Sequence, residues 1–149
     1  MIEVNNLTTN LVDEEFLKKV AEKVLEGESA SWRNKKTELS IAVVGQGRIR
    51  ELNKKYRKKN RATDVLAFLY DDSGLASLDA RRSGEIVICL REVKKNAKRF
   101  SLIFEKELAR VLIHGILHLL GYNHEKSEKE AEKMRKKEEY YLKLLFTNH

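Results

Sequence analysis

Short apolar runs alternate with helical apolar stripes along this chain and together predict four strands and five helices. The run ELSIAVV at residues 38–44 ends at a glycine, a pattern typical of a buried strand. Apolar residues at every third or fourth position indicate amphipathic helices instead. The predicted strands are residues 2–5, 38–44, 64–69 and 84–90, and the predicted helices are residues 13–27, 49–56, 91–101, 104–120 and 127–146.

The order of these elements, with most strands before most helices, is typical of an α+β fold. A length of 149 residues fits one domain, and no linker divides the chain. We therefore expect residues 1–149 to form a single domain. In it, a central mixed β-sheet of about four strands packs against one central helix and several surrounding helices. The central helix is apolar on every side at residues 111–120, and the polar residues 71–83 are expected to form a mobile loop.

The lone cysteine, Cys89, excludes a disulfide framework and a cysteine-based zinc finger, and it fits a reducing compartment. The first residues, MIEVNN, lack the basic and apolar regions of a signal peptide. The longest apolar stretch is much shorter than the roughly 20 residues that a membrane span needs. We expect a cytoplasmic protein without a membrane partner.

Positive charge is concentrated in one segment of the chain. The formal net charge is +7, and residues 48–61 contain eight Lys or Arg against Glu51 alone, so this segment accounts for the whole excess. Such a concentration of positive charge predicts a polyanionic partner, with RNA, DNA and acidic membrane as alternatives. A solvated helix face is the other interpretation, and residues 125–139 illustrate it with six positive and six negative side chains.

Three of the four histidines fall within the segment HGILHLLGYNH. His114 and His118 are four positions apart, so one helix face presents both imidazoles to the same ion. Gly121 is placed to end the helix in a left-handed conformation, which returns His124 to that ion. Three imidazoles with one open position are typical of catalytic zinc, so we predict one Zn²⁺ per chain. The alternative to a metal site is that the histidines are buried in an apolar core. Each ring would then need a hydrogen-bond partner of its own.

The spacing H-x-x-x-H-x-x-G-x-x-H is similar to the zinc site of metzincin proteases. In those enzymes a glutamate follows the first histidine and acts as the general base, whereas this chain has Gly115 there. A peptidase without that carboxylate lacks its proton acceptor. We therefore expect a different use of the metal.

The histidine segment also resembles the signature of the YbeY family of bacterial endoribonucleases and ribosomal-RNA maturation factors. The segment LNKKYRKKNRATDVLAF at residues 52–68 is similar to the family pattern N-x-x-Y-R-x-K-[DN]-x-x-T-D-V-L-S-F, and GEIVIC at residues 84–89 is similar to G-D-I-x-I. The three segments stand in the family's order along the chain. The departures are few: Ala62 and Leu69 replace prolines, Ala67 replaces a serine, and Glu85 and Asn123 replace aspartates.

The resemblance implies a metal-dependent endoribonuclease that prefers single strands and acts in maturation of small-subunit ribosomal RNA and in ribosome quality control. Its implied partners are ribosomal RNA and the ribosome or ribosome-associated proteins. It also implies a central sheet with the histidine-bearing helix packed against it. The implied metal ligands are His114, His118 and His124, and the family's functional arginine falls on Arg57.

In the mechanism expected from these residues, zinc activates a water or polarises a phosphoryl oxygen, and Arg57 grips the scissile phosphate. The sequence leaves three candidates for the general base: a metal hydroxide, the 2′-hydroxyl of the substrate and a carboxylate such as Asp64. The other basic residues expected to contact RNA phosphates are Lys54, Lys55, Lys58, Lys59 and Arg61.

Two other functions stay open on the sequence. One is a zinc hydrolase of peptides or small molecules, against which Gly115 and the basic segment argue. The other is a ribosome-associated RNA-binding module whose metal is structural. Cleavage of RNA by a metal-loaded, contaminant-free preparation distinguishes an enzyme from that module.

Overall fold

The computed structural model describes residues 2–28, 38–71 and 82–147. These residues form four strands and five helices in the order βαβαββααα. The strands are β1 (Ile2–Asn6), β2 (Glu38–Val44), β3 (Val65–Asp71) and β4 (Arg82–Cys89). The helices are α1 (Glu14–Glu28), α2 (Gln46–Arg57), α3 (Leu90–Arg99), α4 (Phe104–Leu119) and α5 (Glu128–Phe146).

The strands form one mixed sheet in the order β1-β2-β4-β3. β1 and β2 are parallel, β2 and β4 are parallel, and β3 runs antiparallel to β4. Ile41 on β2 and Ala67 on β3 both pair with Ile86 on β4, so the middle of the sheet is apolar. The predicted α+β class and mixed sheet are confirmed. In the described residues, the outer edge of β3 has no strand neighbour.

One face of the sheet packs against the helices, with α4 at the centre of the core. α4 contacts β3, β4, α1, α3 and α5. Ten of its sixteen residues are buried, because a helix that is apolar on every side gains most when all sides are covered. The predicted central helix is confirmed. No helix in the described ranges, α4 included, is long and apolar enough to cross a membrane.

The opposite face of the sheet packs against α2. Ile49 on α2 is fully buried in a small cluster, whose other members include Val44, Leu66, Phe68 and Val87 from three strands. The lysines of α2 are exposed, so this helix presents the basic segment to solvent.

Polar caps and a glycine determine several helix ends. Asp13 Oδ1 accepts a hydrogen bond from Phe16 N at 3.0 Å at the start of α1. Ser127 Oγ accepts one from Glu130 N at 3.1 Å at the start of α5. Gly121 has a φ of 103°, which confirms the left-handed conformation predicted after α4.

β3 and β4 are longer than the apolar pattern predicts. β3 continues to Asp71 and β4 begins at Arg82, because these two residues pair across the antiparallel ladder. Backbone pairing extends the strands through polar positions, which a hydrophobic pattern does not detect. Leu90 opens α3 instead of ending β4, and most of the predicted loop, residues 72–81, lies outside the described residues.

Candidate functional site

A cavity of about 550 Å³ opens between α4 and β3, beside the end of α2. The cavity is lined by six residues for which the sequence predicts a function: Arg57, Lys59, Arg61, His114, His118 and His124. Lys54, Lys55 and Lys58 are exposed on α2 and its C-terminal cap and do not line it. The fold therefore brings the predicted metal ligands and part of the predicted phosphate contacts into one site.

α4 and the turn after it position the histidines. His114 and His118 are one helical turn apart on α4, and both border the cavity. Gly121 at positive φ reverses the chain after the helix. As a result, the centroid of the His124 ring lies 5.0 Å from that of His114.

Both histidines of α4 have an acceptor at Nδ1. Glu138 Oε1 on α5 lies 2.6 Å from Nδ1 of His114, and the carbonyl oxygen of Tyr122 lies 3.2 Å from Nδ1 of His118. Because these partners accept hydrogen bonds, the proton of each neutral ring belongs on Nδ1, and the lone pair is on Nε2. Metal-binding histidines typically donate their other ring nitrogen to a carboxylate or carbonyl in this way.

The surroundings of His118 favour its neutral form. Burial lowers the pKa of His118 below its ordinary value, and the charges of His114, Arg57 and His124 lower it further. The hydrogen bond with Tyr122 opposes this shift only in part. A neutral imidazole is the form that binds a metal.

The three rings share the cavity without forming a complete ligand set. Within residues 2–28, 38–71 and 82–147, no three His, Cys, Asp or Glu side chains stand in an arrangement that holds a metal ion. The side chain of His124 is 44% exposed, so a change of its rotamer meets little packing resistance. Three neutral imidazoles match the donor chemistry of zinc, and the metal centre stays a prediction.

A buried carboxylate at the end of α1 anchors the turn that follows α4. Glu28 accepts hydrogen bonds from the hydroxyl of Tyr122, at 2.5 Å, and from that of Tyr141, and Lys137 Nζ lies 3.2 Å away. Burial raises the pKa of Glu28, but these three donors outweigh it and keep that pKa below its ordinary value. Burial and the bond to Glu28 raise the pKa of Tyr122 to about 12. Since the Tyr122 carbonyl faces His118, one residue links Glu28 to that histidine.

Arg57 is held on the opposite wall of the cavity. Its Nη2 donates to the carbonyl oxygen of Ala67 at 2.6 Å, on the outer edge of β3. Its guanidinium carbon lies 4.9 Å from the centroid of the Phe68 ring. These contacts orient the planar fork and leave further N–H donors for an anion.

Gly115 allows a close approach of α4 to the sheet. A Cβ atom there would lie 3.1 Å from Ile86 Cδ1 and 3.2 Å from Val65 Cγ2. A larger residue at this position would therefore require Ile86 and Val65 to shift. Gly115 lines the cavity, but a Cβ atom there would lie closer to Ile86 and Val65 than ordinary packing distances allow.

Known proteins are similar to this chain over most of its length. The sequence model of the family described as Endoribonuclease YbeY matches residues 3–145. The chain belongs to the YbeY family. The endoribonuclease YbeY of Thermodesulfovibrio yellowstonii is 47% identical over 110 residues, which cover 72% of this chain and 66% of that protein. That of Persephonella marina is 41% identical over 123 residues, which cover 83% of this chain and 77% of that protein.

The fold has a counterpart among solved structures. The solution structure of TM1509 from Thermotoga maritima is 31% identical in sequence and matches with a TM-score of 0.64. The match covers 98% of this chain and 89% of that one. The architecture implied by the YbeY resemblance is therefore confirmed.

The segments that carry the YbeY resemblance meet around the cavity. Residues 52–68 form the end of α2, the following loop and the start of β3. Asn53 is 3% exposed and donates Nδ2 to the carbonyl oxygen of Arg61 at 2.9 Å, which holds that loop against α2. The third segment, residues 84–89, contributes Ile86 beneath α4.

Arg110 and Glu138 contribute to the site, and sequence reasoning missed both. Arg110 lines the cavity, and both oxygens of the fully buried Glu107 accept from its guanidinium, at 2.7 and 2.6 Å. Glu107 and Arg110 are three positions apart in a largely apolar helix, and this spacing could have predicted their ion pair. Glu138, the acceptor for His114, lies in the mixed-charge helix α5 and is 24 residues away, so no local pattern identifies it.

Asp64, one of the predicted candidates for general base, lines the cavity. Its Oδ2 accepts a hydrogen bond from Asn96 Nδ2 at 3.2 Å, and its carbonyl oxygen accepts one from Cys89 N at 3.0 Å. The carboxylate is thus held at the start of β3, in the same site as the histidines.

Proposed function

We propose that this chain is a zinc-dependent endoribonuclease that cuts single-stranded RNA in maturation of small-subunit ribosomal RNA and in ribosome quality control. The observation that carries the proposal is the cavity, where the histidines face Arg57, Lys59 and Arg61. Membership of the YbeY family supports the endoribonuclease activity and the role in ribosomal-RNA processing. Association with the ribosome and action in the cytoplasm belong to the same proposal.

The metal would be held by His114, His118 and His124. Glu138 and the Tyr122 carbonyl hold Nδ1 of the first two rings, which leaves Nε2 as the ligand atom. Bound zinc supplies Lewis-acid stabilisation of a phosphoryl oxygen or acidifies a water.

Arg57 would bind the scissile phosphate. Because Ala67 and Phe68 orient its guanidinium before substrate arrives, little reorganisation opposes stabilisation of the charge that develops in the transition state. Asp64, held by Asn96, is a candidate for the group that takes a proton from the attacking hydroxyl or water. The remaining basic residues would follow the RNA backbone: Lys54, Lys55, Lys58, Lys59 and Arg61.

The two rival functions gain no support from the geometry. Hydrolysis of peptides by the metzincin route needs a carboxylate after the first histidine, and this chain has Gly115 there, close to Ile86 and Val65. A purely structural metal is usually closed by four protein ligands, whereas the three histidines line a cavity that also contains Arg57.

Metal analysis combined with single-turnover cleavage of an unstructured RNA tests the proposal. The parent is expected to hold about one zinc per chain and to cut RNA. His118→Ala should lose both the metal and the cleavage, because two remaining imidazoles hold zinc weakly. His149→Ala, which changes the histidine outside the HGILHLLGYNH segment, is the matched control and should keep both.

Three results would contradict parts of the proposal. A full equivalent of tightly bound metal at the same site in His118→Ala would overturn the histidine ligand set. A metal-loaded parent that leaves RNA intact would overturn the nuclease. Digestion of casein or peptides by that preparation would favour the rival hydrolase.

A further inference from the structure

Tyr56 is an exposed aromatic side chain in the middle of the basic surface of α2. The residue is 49% exposed and stands between Lys55 and Arg57 in the sequence. The positions of α2 that are buried are Ile49 and Asn53. About half of this residue therefore stays accessible to a ligand.

The ring of Tyr56 is held in one orientation by its neighbours. It packs edge-to-face on Phe68 of β3, with centroids 5.3 Å apart and ring planes at 68°. Lys55 Nζ lies 5.2 Å from the centroid of the Tyr56 ring. A ring that is already positioned loses little conformational freedom when a ligand stacks on it.

Phe68 connects Tyr56 to the candidate active site. The guanidinium of Arg57 lies 4.9 Å from the centroid of the Phe68 ring, and Arg57 lines the cavity that contains the histidines. Tyr56 and Arg57 therefore rest on the same aromatic ring. Phe68 thus brings an aromatic ring and the guanidinium of Arg57 close together on one surface.

A nucleobase matches this surface in both shape and charge. Every base has a π-face, and aromatic rings within a positive groove are a common means of binding single strands without sequence preference. The exposed Tyr70 on β3 lies near Tyr56, but it also shares a pocket with Glu3, Glu38 and Glu85. Those carboxylates repel RNA phosphates, whereas Lys55 and the neighbouring lysines attract them.

We propose that Tyr56 stacks on an unpaired nucleobase next to the phosphate bound by Arg57. Bases in a duplex are stacked and paired, so this contact favours single-stranded RNA. The inference rests on the proposed function and adds a base-binding position to it.

Affinities for two oligomers test the stacking directly. One is an oligoadenosine and the other an abasic chain of equal length, both with 2′-O-methyl riboses to prevent cleavage, and binding is followed by fluorescence anisotropy. Tyr56→Leu is expected to bind the oligoadenosine about 5- to 150-fold more weakly than the parent, the range for one lost stacking contact. It should bind the abasic chain as the parent does. Tyr56→Phe keeps the ring and should match the parent with both oligomers.

Tyr140→Leu is the matched control. Tyr140 on α5 is 54% exposed and packs edge-to-face on Tyr141 with centroids 5.0 Å apart, whereas Tyr56 packs on Phe68 beside Arg57. This variant should bind both oligomers as the parent does.

Two outcomes would overturn the stacking alone, in a parent that binds and cuts RNA. One is an affinity of Tyr56→Leu for oligoadenosine within twofold of the parent. The other is an equal loss of affinity for both oligomers, which would mean that the substitution disturbs the protein rather than a contact with a base. A parent that neither binds oligoadenosine nor cuts RNA would overturn the proposed function as well.

Discussion

The two walls of the cavity differ in burial and in how their side chains are held. On the α4 side, most of the helix lies in the core, and both of its histidines have an acceptor at Nδ1. On the α2 side, Ile49 and Asn53 are the buried positions of the helix, and the lysines stand in solvent. A metal ion requires ligands at fixed distances, whereas a flexible RNA strand is bound by charge that can adapt to it.

This difference predicts separate consequences for substitutions on the two walls. Changes around α4 should alter metal binding, because packing and hydrogen bonds determine where the imidazoles lie. Changes on the exposed side of α2 should alter RNA binding with little effect on stability, since exposed charges contribute little to folding.

The largest effect is expected from replacing Lys54, Lys55, Lys58 and Lys59 together with glutamine. Each phosphate contact contributes about −0.7 to the slope of log K against log salt for single strands, so losing four would flatten the slope by up to about 2.8. Metal content and melting temperature should match the parent. Affinities for single-stranded RNA at several salt concentrations measure the slope.

A variant with the same loss of charge elsewhere controls for net charge. It replaces four exposed lysines of α1 and α5, which are Lys19, Lys23, Lys129 and Lys136. This control should keep most of the parent's slope. An unchanged slope in the α2 variant would place the RNA on another surface.

Arg57→Lys tests whether the α2 wall supplies geometry as well as charge. Lysine keeps the positive charge but loses the planar fork, so RNA affinity, its salt dependence and the metal content should stay as in the parent. Single-turnover cleavage should fall at least about tenfold, the lower side of the effect of losing one well-placed transition-state donor. Arg48→Lys, at an exposed position of the same helix, should cleave at the parent's rate. Cleavage by Arg57→Lys within about twofold of the parent would reduce Arg57 to one phosphate contact among several.

A smaller effect is expected from Tyr122→Phe, which removes one hydrogen bond to Glu28. Because the Tyr122 carbonyl faces His118, a looser turn should lower zinc affinity about tenfold, as measured by competition with a chelator. Tyr141→Phe removes the other hydroxyl from the same carboxylate but leaves the turn in place, so its zinc affinity should match the parent's. A zinc affinity of Tyr122→Phe equal to the parent's would show that the turn is positioned without its hydrogen bond to Glu28.

The sequence predicted the elements of the site better than their boundaries. The helices and the turn at Gly121 are confirmed, because each depends on residues a few positions apart. The ends of β3 and β4 were wrong, because strand pairing rather than burial determines them. The prediction that the histidines and Arg57 share one site is consistent with the cavity that they line, while their joint binding of zinc stays a prediction.

Local sequence is sufficient to specify the spacing of His114 and His118, the charge of α2 and the apolar character of α4. The tertiary structure was needed for the partners of these residues: Glu138 beside His114, the Ala67 carbonyl beside Arg57, and the sheet beneath Gly115. The physical reason is that such contacts depend on strand register and on how α4 and α5 pack. Both are set by the burial of the whole core, and a periodicity within one segment carries no information about them.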